Sequence, residues 1–198
     1  MDRLLLLIVA GTFALGACRE RQAAAEAPAH ASSHVDTILP RAEALRRFQA
    51  TARPTDTLAG GAPSRDALVH AFVQALEARD TAALQRLALD RDEFAFLYYP
   101  TAPQGLPPYD LAPELLWFMQ QSGSGKGIAR TLSSRGGRPL GYQSYRCDTL
   151  PSREGANLVW GPCAMRFRHG GAKVEERLFG LIVERDGRYK FVSYGSKL

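Results

Sequence analysis

The sequence predicts an α+β domain, on three observations. Apolar residues recur at helical spacing in the segments up to about Ser134. From Leu140 onward the pattern changes to extended runs rich in Tyr, Val, Ile and Phe. Gly170-Gly171 and Asp186-Gly187 stand between such runs, where two-residue turns need residues that accept positive φ. Helices first and an antiparallel meander afterwards place the helices on one face of a curved sheet.

Each element has its own local reason. Arg41 to Ala50 forms a short helix with Leu45 and Phe48 on one side, and a Thr/Pro/Gly-rich connection runs on to Gly61-Ala62-Pro63. The main domain starts at Ser64, a good N-cap, with Leu68, Val69, Phe72, Ala75 and Leu76 forming the apolar stripe of a helix to about Arg79. Asp80 caps a second helix carrying Ala83, Leu84 and Leu87, and Glu93 to Tyr98 reads as a short strand or hydrophobic loop entry. Asp110 is expected to cap a third helix that has Pro113 in its first turn and runs through Gln121. The Ser122-Gly123-Ser124-Gly125 stretch is expected to break that helix from a further helical piece, Lys126 to Ser134. Four long strands follow, over Leu140–Thr149, Ala156–Arg168, Lys173–Arg185 and Arg188–Tyr194.

This order resembles the NTF2-like (cystatin-like) superfamily, which includes the SnoaL-type domains. The resemblance covers Ser64 to Leu198, and rests on the phrase Ser64–Leu87 with its Glu77-Ala78-Arg79-Asp80 junction and on the closing hairpin from Leu178 to Phe191. Another α+β fold, such as a plain cystatin-like sheet, is the alternative. The resemblance implies a cone-shaped pocket inside the sheet, in which the superfamily's isomerases and dehydratases place Asp, His or Tyr.

The first residues point to export. Met1-Asp2-Arg3 is followed by an apolar run from Leu4 to Leu15 that is too short for a comfortable membrane span. Leu15-Gly16-Ala17-Cys18 then resembles the lipobox of bacterial lipoprotein precursors. That resemblance implies a diacylglycerol thioether on Cys18, cleavage between Ala17 and Cys18, and acylation of the new amino terminus. A plain secretory signal, or a short uncleaved anchor, is the alternative. The expected organisation is therefore a signal peptide at 1–17, a flexible tether at 18–40 poor in large apolar residues, a short helix and connection at 41–63, and one domain at 64–198. The expected place of work is the bacterial cell envelope, facing the periplasm or the exterior, with membrane lipid as partner through Cys18.

Cys147 and Cys163 remain as an even pair, on consecutive strand candidates and each eight residues from Gly155. They are expected to face each other and form a disulfide, as an oxidising compartment permits; two buried free thiols are the alternative. The net charge of +5, from 25 basic and 20 acidic residues, is scattered, with no dense basic stripe interleaved with aromatics, so nucleic acid is not an expected partner.

Motifs for chemistry are sparse. Gly123-Ser124-Gly125-Lys126-Gly127 departs from the phosphate-loop pattern at Gln120 and Gly127 and follows no strand. No HExxH or GxSxG occurs. His30 and His34, four apart, lie among small polar residues that offer no frame for a metal, and no cofactor is expected. His70 falls on the far side of its helix from Phe72 and Leu76 and is expected to face solvent; His169 falls in a turn. Tyr98, Tyr99, Tyr109, Asp110, Trp117 and Tyr145 are the candidates to line a pocket, since all but Asp110 join broad apolar faces to polar tips. Core packing is the competing account of the aromatics, and helix capping that of Asp110. The function expected is a non-catalytic envelope module that binds a small apolar ligand or a partner protein; a SnoaL-type isomerase, dehydratase or cyclase using a pocket Asp or Tyr is the alternative.

Overall fold

The structure, a computed structural model, describes residues 39–148 and 150–195. The leader, Cys18 and most of the tether, with His30 and His34, lie outside the described residues. Within them the fold is α+β, with five helices followed by two antiparallel sheets. No helix among the described residues is long and apolar enough to cross a membrane.

Helix α1 (Arg41–Gln49) buries Ala44 and Phe48. Helix α2 (Arg65–Glu77) starts as expected: Ser64 Oγ accepts a hydrogen bond from the Ala67 amide at 3.0 Å, satisfying one of the orphan donors at a helix start. Asp80 does the same for α3 (Thr81–Arg86), accepting from the Ala83 amide at 2.8 Å.

The segment from Glu93, expected as a short strand or a hydrophobic loop entry, is helical instead. Asp90 Oδ1 accepts from the Glu93 amide at 2.8 Å while Glu93 Oε2 accepts from the Asp90 amide at 3.0 Å, a reciprocal capping box that starts α4 (Arg91–Glu93). The chain continues as a π-helical turn over Phe94–Tyr98 and two 3₁₀ turns, Tyr99–Thr101 and Pro103–Gly105. Phe94, Ala95, Leu97, Tyr98 and Tyr99 are all buried. An apolar run buried on every side carries no helical stripe, so periodicity alone does not separate it from a strand.

Helix α5 (Pro113–Arg135) is continuous, and the expected break at Ser122–Gly125 is absent. The glycines serve packing. Tyr194 lies so close to Gly127 that a Cβ there would overlap its carbonyl, and Gly123 faces Gly195, whose Cα would stand 3.8 Å from a Cβ at that position. Ser124 Oγ accepts from the Tyr194 amide at 3.0 Å, and Gln120 Nε2 donates to the Val192 carbonyl at 2.6 Å. The extended segment 192–195 thus lies along the helix, in contact that larger residues would prevent. Asp110 is not the cap of α5: Ala112 holds that position without a side-chain bond, and Asp110 sits exposed in the loop at φ 45°.

The four expected strand regions hold six of the seven strands of the described residues, and the seventh, Ser152–Glu154, lies in the connection between the first two. One sheet has the order β1 (Tyr142–Cys147), β4 (Cys163–His169), β5 (Ala172–Glu176); the other has the order β2 (Ser152–Glu154), β3 (Asn157–Trp160), β6 (Ile182–Arg185), β7 (Arg188–Phe191). The expected strand Ala156–Arg168 is split where Pro162, lacking an N–H, interrupts the ladder. The expected strand Lys173–Arg185 is split at 177–181, where Gly180 packs against the Ser193 carbonyl. Both expected turns hold: His169 pairs with Ala172 across Gly170-Gly171, and Arg185 with Arg188 across Asp186-Gly187, with φ positive at all four turn residues.

Cys147 and Cys163 stand opposite each other in the β1–β4 register and form a disulfide of 2.02 Å. With a sequence separation of 16, such a bond contributes about 3 kcal/mol in the chain-entropy account. Cys163, Met165 and Phe167 alternate inward along β4 and, with Phe179 and Phe191, receive the apolar face of α2. A second cluster surrounds Phe94, whose ring lies 5.7 Å from Phe48 and 5.2 Å from Trp117.

Candidate functional site

A cavity of about 200 Å³ lies between the Phe94–Tyr98 turn, α5 and the segments 177–181 and 192–195. Tyr98, Gln104, Gln120, Arg177 and Ser193 supply its polar groups, while Leu116, Phe179 and Leu181 supply apolar surface.

The capping box and π turn carry Tyr98 into the interior, where it is 3% exposed. Its phenol has no hydrogen-bond partner among the described residues. Burial first, and the nearby Glu154 carboxylate second, push its pKa far above the ordinary range, so it presents a neutral O–H donor. Gln104, at the second 3₁₀ turn, contributes a buried Oε1 without a donor. Gln120 is 2% exposed and is held by its bond to Val192, and buried Ser193 accepts from the Gly195 amide at 3.3 Å. Arg177 is exposed. The arrangement offers a ligand one free donor and one free acceptor within an apolar enclosure, the pattern of a small-molecule site.

Gln120 and Val192 also line a neighbouring cavity of about 440 Å³ bounded by Trp117, Gln121 and Ser124. A wider, more open groove of about 870 Å³ runs between α2 and α3 over Ala71, Ala75, Ala78, Ala82 and Ala83, with Lys190 also in its lining.

The six pocket candidates do not meet in one cavity. Tyr98 lines the cavity described above, and Trp117, half-buried against Phe94, lines its neighbour. Tyr99 is fully buried in the core; its hydroxyl donates to the Leu111 carbonyl at 2.7 Å, and the Arg41 guanidinium lies 5.4 Å from its ring centre. Tyr109 is 67% exposed over a shallow groove with Leu106 and Glu154. Asp110 is exposed in the loop before α5. Tyr145 donates to Asp66 Oδ1 at 2.8 Å, joining β1 to the start of α2. His70 is exposed, with its ring edge against Tyr142 at 5.3 Å. Among the described residues no three His, Cys, Asp or Glu side chains converge as a metal site.

Sequence reasoning missed Gln104, Gln120, Arg177 and Ser193. Gln120 carried a signal: it falls four residues after the buried Leu116, so it is a polar residue on the inward face of a helix. No protein-family model matches the chain, no curated protein matches it in sequence, and no solved structure matches it.

Proposed function

We propose that this chain is a bacterial envelope lipoprotein, anchored by lipid on Cys18, whose folded body is an NTF2-like module that binds a small, largely apolar ligand in the Tyr98 cavity. The lipobox Leu15-Gly16-Ala17-Cys18 supports the anchor. The paired Cys147 and Cys163 accord with an oxidising compartment. The fold-family reading is supported by helices that precede an antiparallel meander, in which the expected strands are bent into two connected sheets.

One observation carries the binding reading: the Tyr98 phenol, which holds no described residue by a hydrogen bond, and a buried Gln104 Oε1 without a donor line one cavity. The unmet Gln104 Oε1 costs about 1–3 kcal/mol, and a ligand that donates to it while accepting from Tyr98 recovers that cost. A primary amide or a hydroxyl on a small ring has the matching donor and acceptor. Acid–base chemistry of the SnoaL kind needs a base poised near neutrality, whereas the titratable side chains in this lining are Tyr98 and Arg177.

The test is an NMR titration with benzamide. Shifts confined to residues around Tyr98, Gln104 and Gln120, and lost when Leu116→Phe fills the cavity, are the expected result. Shifts scattered over the surface, or none, reject the site. For the anchor, mass spectrometry of the N-terminal peptide from membranes should show acylated Cys18 and no residues before it.

A further inference from the structure

Helix α5 leaves an outer face uncovered. Leu115, Phe118 and Met119 stand at i, i+3 and i+4 and are 47%, 65% and 40% exposed, while Leu116, Gln120, Gly127 and Ile128 turn inward. Lys126 and Arg130, both exposed, continue the line of Leu115 and Met119 along the helix. After Glu114 the helix contains no acidic residue.

The incoming chain joins the body at the same end. Helix α1, which begins two residues after Leu39, packs against α5 and the Phe94–Tyr98 turn. Arg41 donates to the Pro100 carbonyl at 2.8 Å, and neighbouring Tyr99 bonds to Leu111, two residues before α5 begins. The chain therefore enters the described body beside the apolar, N-terminal end of α5.

We propose that this face of α5 rests on the bilayer that holds the anchor, with Leu115, Phe118 and Met119 in the interfacial zone and Lys126 and Arg130 on anionic headgroups. The inference rests on the lipoprotein reading above. Apolar side chains followed along the helix by cations, with no acid after Glu114 in the first turn, are what an anionic bilayer surface selects. A stable contact with a second copy needs about 800 Å² per partner, whereas three side chains expose a few hundred at most. The lipid chains on Cys18 supply most of the affinity, so a small patch suffices to orient the body.

The experiment uses the mature, acylated protein reconstituted into vesicles of phosphatidylethanolamine and phosphatidylglycerol with brominated acyl chains. Tryptophan emission is compared between Phe118→Trp and Leu150→Trp, the latter at a position 83% exposed elsewhere on the body. Expected is bromine quenching of the added emission at least about twofold greater at 118 than at 150, reduced by Lys126→Glu with Arg130→Glu in anionic vesicles. Equal quenching on protein whose Cys18 is acylated overturns this inference alone. So does quenching at 118 that disappears on diluting protein per vesicle, the mark of self-association. An unmodified Cys18 peptide overturns the anchor, and this inference with it.

Discussion

Glu93 and Lys190, 97 residues apart, form an ion pair in the interior: Lys190 Nζ lies 2.8 Å from Glu93 Oε1 and 2.9 Å from Oε2, with the side chains 4% and 1% exposed. Glu93 also closes the capping box of α4, so the pair joins the start of that helix to β7. Burial outweighs the lysine's pull and raises the Glu93 pKa above its ordinary value. Breaking a buried pair from one side strands a charge, which costs about 3–5 kcal/mol. Lys190→Met is therefore expected to lose stability on that scale in urea denaturation. Adding Glu93→Gln, which keeps the cap acceptor without the charge, should restore a large part. Equal midpoints for the single and double variants would show that the pair does not hold the two elements together.

Two glycines of α5 are expected to respond oppositely to the same change. Alanine is favoured over glycine in a helix by about 1 kcal/mol. At Gly125 a Cβ meets nothing within 4 Å, so Gly125→Ala should gain up to about that amount. At Gly127 a Cβ would overlap the Tyr194 carbonyl oxygen and lie 2.7 Å from its carbonyl carbon, both backbone. Separating α5 from segment 192–195 to make room would cost about 1–3 kcal/mol and strain the bonds from Gln120 and Ser124. Gly127→Ala should thus be net destabilising in thermal or urea unfolding, and a gain there would mean that α5 does not pack this closely.

This contrast also shows what the sequence made legible. Caps, turns and strand alternation depend on residues close in sequence, so Ser64, Asp80, Gly170-Gly171 and Asp186-Gly187 could be read directly. The disulfide was readable for a similar reason, since a hairpin centred near Gly155 sets Cys147 opposite Cys163. The glycines of α5 could not be read, because their role is set by Tyr194, which is distant in sequence. Asp90-Arg91-Asp92-Glu93 carried a readable capping signature that the uniformly apolar Phe94–Tyr98 run obscured. Tyr98 was a pocket candidate and Gln120 carried a helical signal, whereas Gln104 and Ser193 acquire meaning from a space enclosed by four separate segments.

Glu154 provides the pH dependence. Its carboxyl is partly buried, Oε1 accepts from Ser152 Oγ at 3.2 Å and Oε2 has no donor, and burial raises its pKa above the ordinary 4.5. Well below 4.5 the group is protonated folded or unfolded and adds no pH dependence. As pH rises through 4.5 the unfolded chain ionises first, so stability from this residue falls until the folded value is passed. Glu154→Gln removes that loss. The variant should match the parent near pH 3 to 4 and exceed it at pH 7 by about 1 kcal/mol, judged by the scale of one unpartnered buried polar atom. A parent that gains stability relative to the variant with rising pH would contradict the assignment.

The two buried tyrosine hydroxyls at 98 and 194 should behave differently on removal. Tyr194 is 2% exposed and its hydroxyl donates to the Leu84 carbonyl at 2.7 Å, tying the 192–195 segment to α3. Tyr194→Phe leaves that carbonyl without its donor and is expected to cost about 2 kcal/mol in urea denaturation. The Tyr98 hydroxyl holds no described residue by a hydrogen bond, so Tyr98→Phe breaks no internal bond and should leave stability within about 0.5 kcal/mol of the parent. The same substitution deprives the cavity of its free donor, and should weaken benzamide binding by roughly tenfold, the value of one well-made hydrogen bond. A Tyr98→Phe chain that loses stability like Tyr194→Phe, with benzamide affinity unchanged, would make Tyr98 a structural residue and empty the cavity of its proposed role.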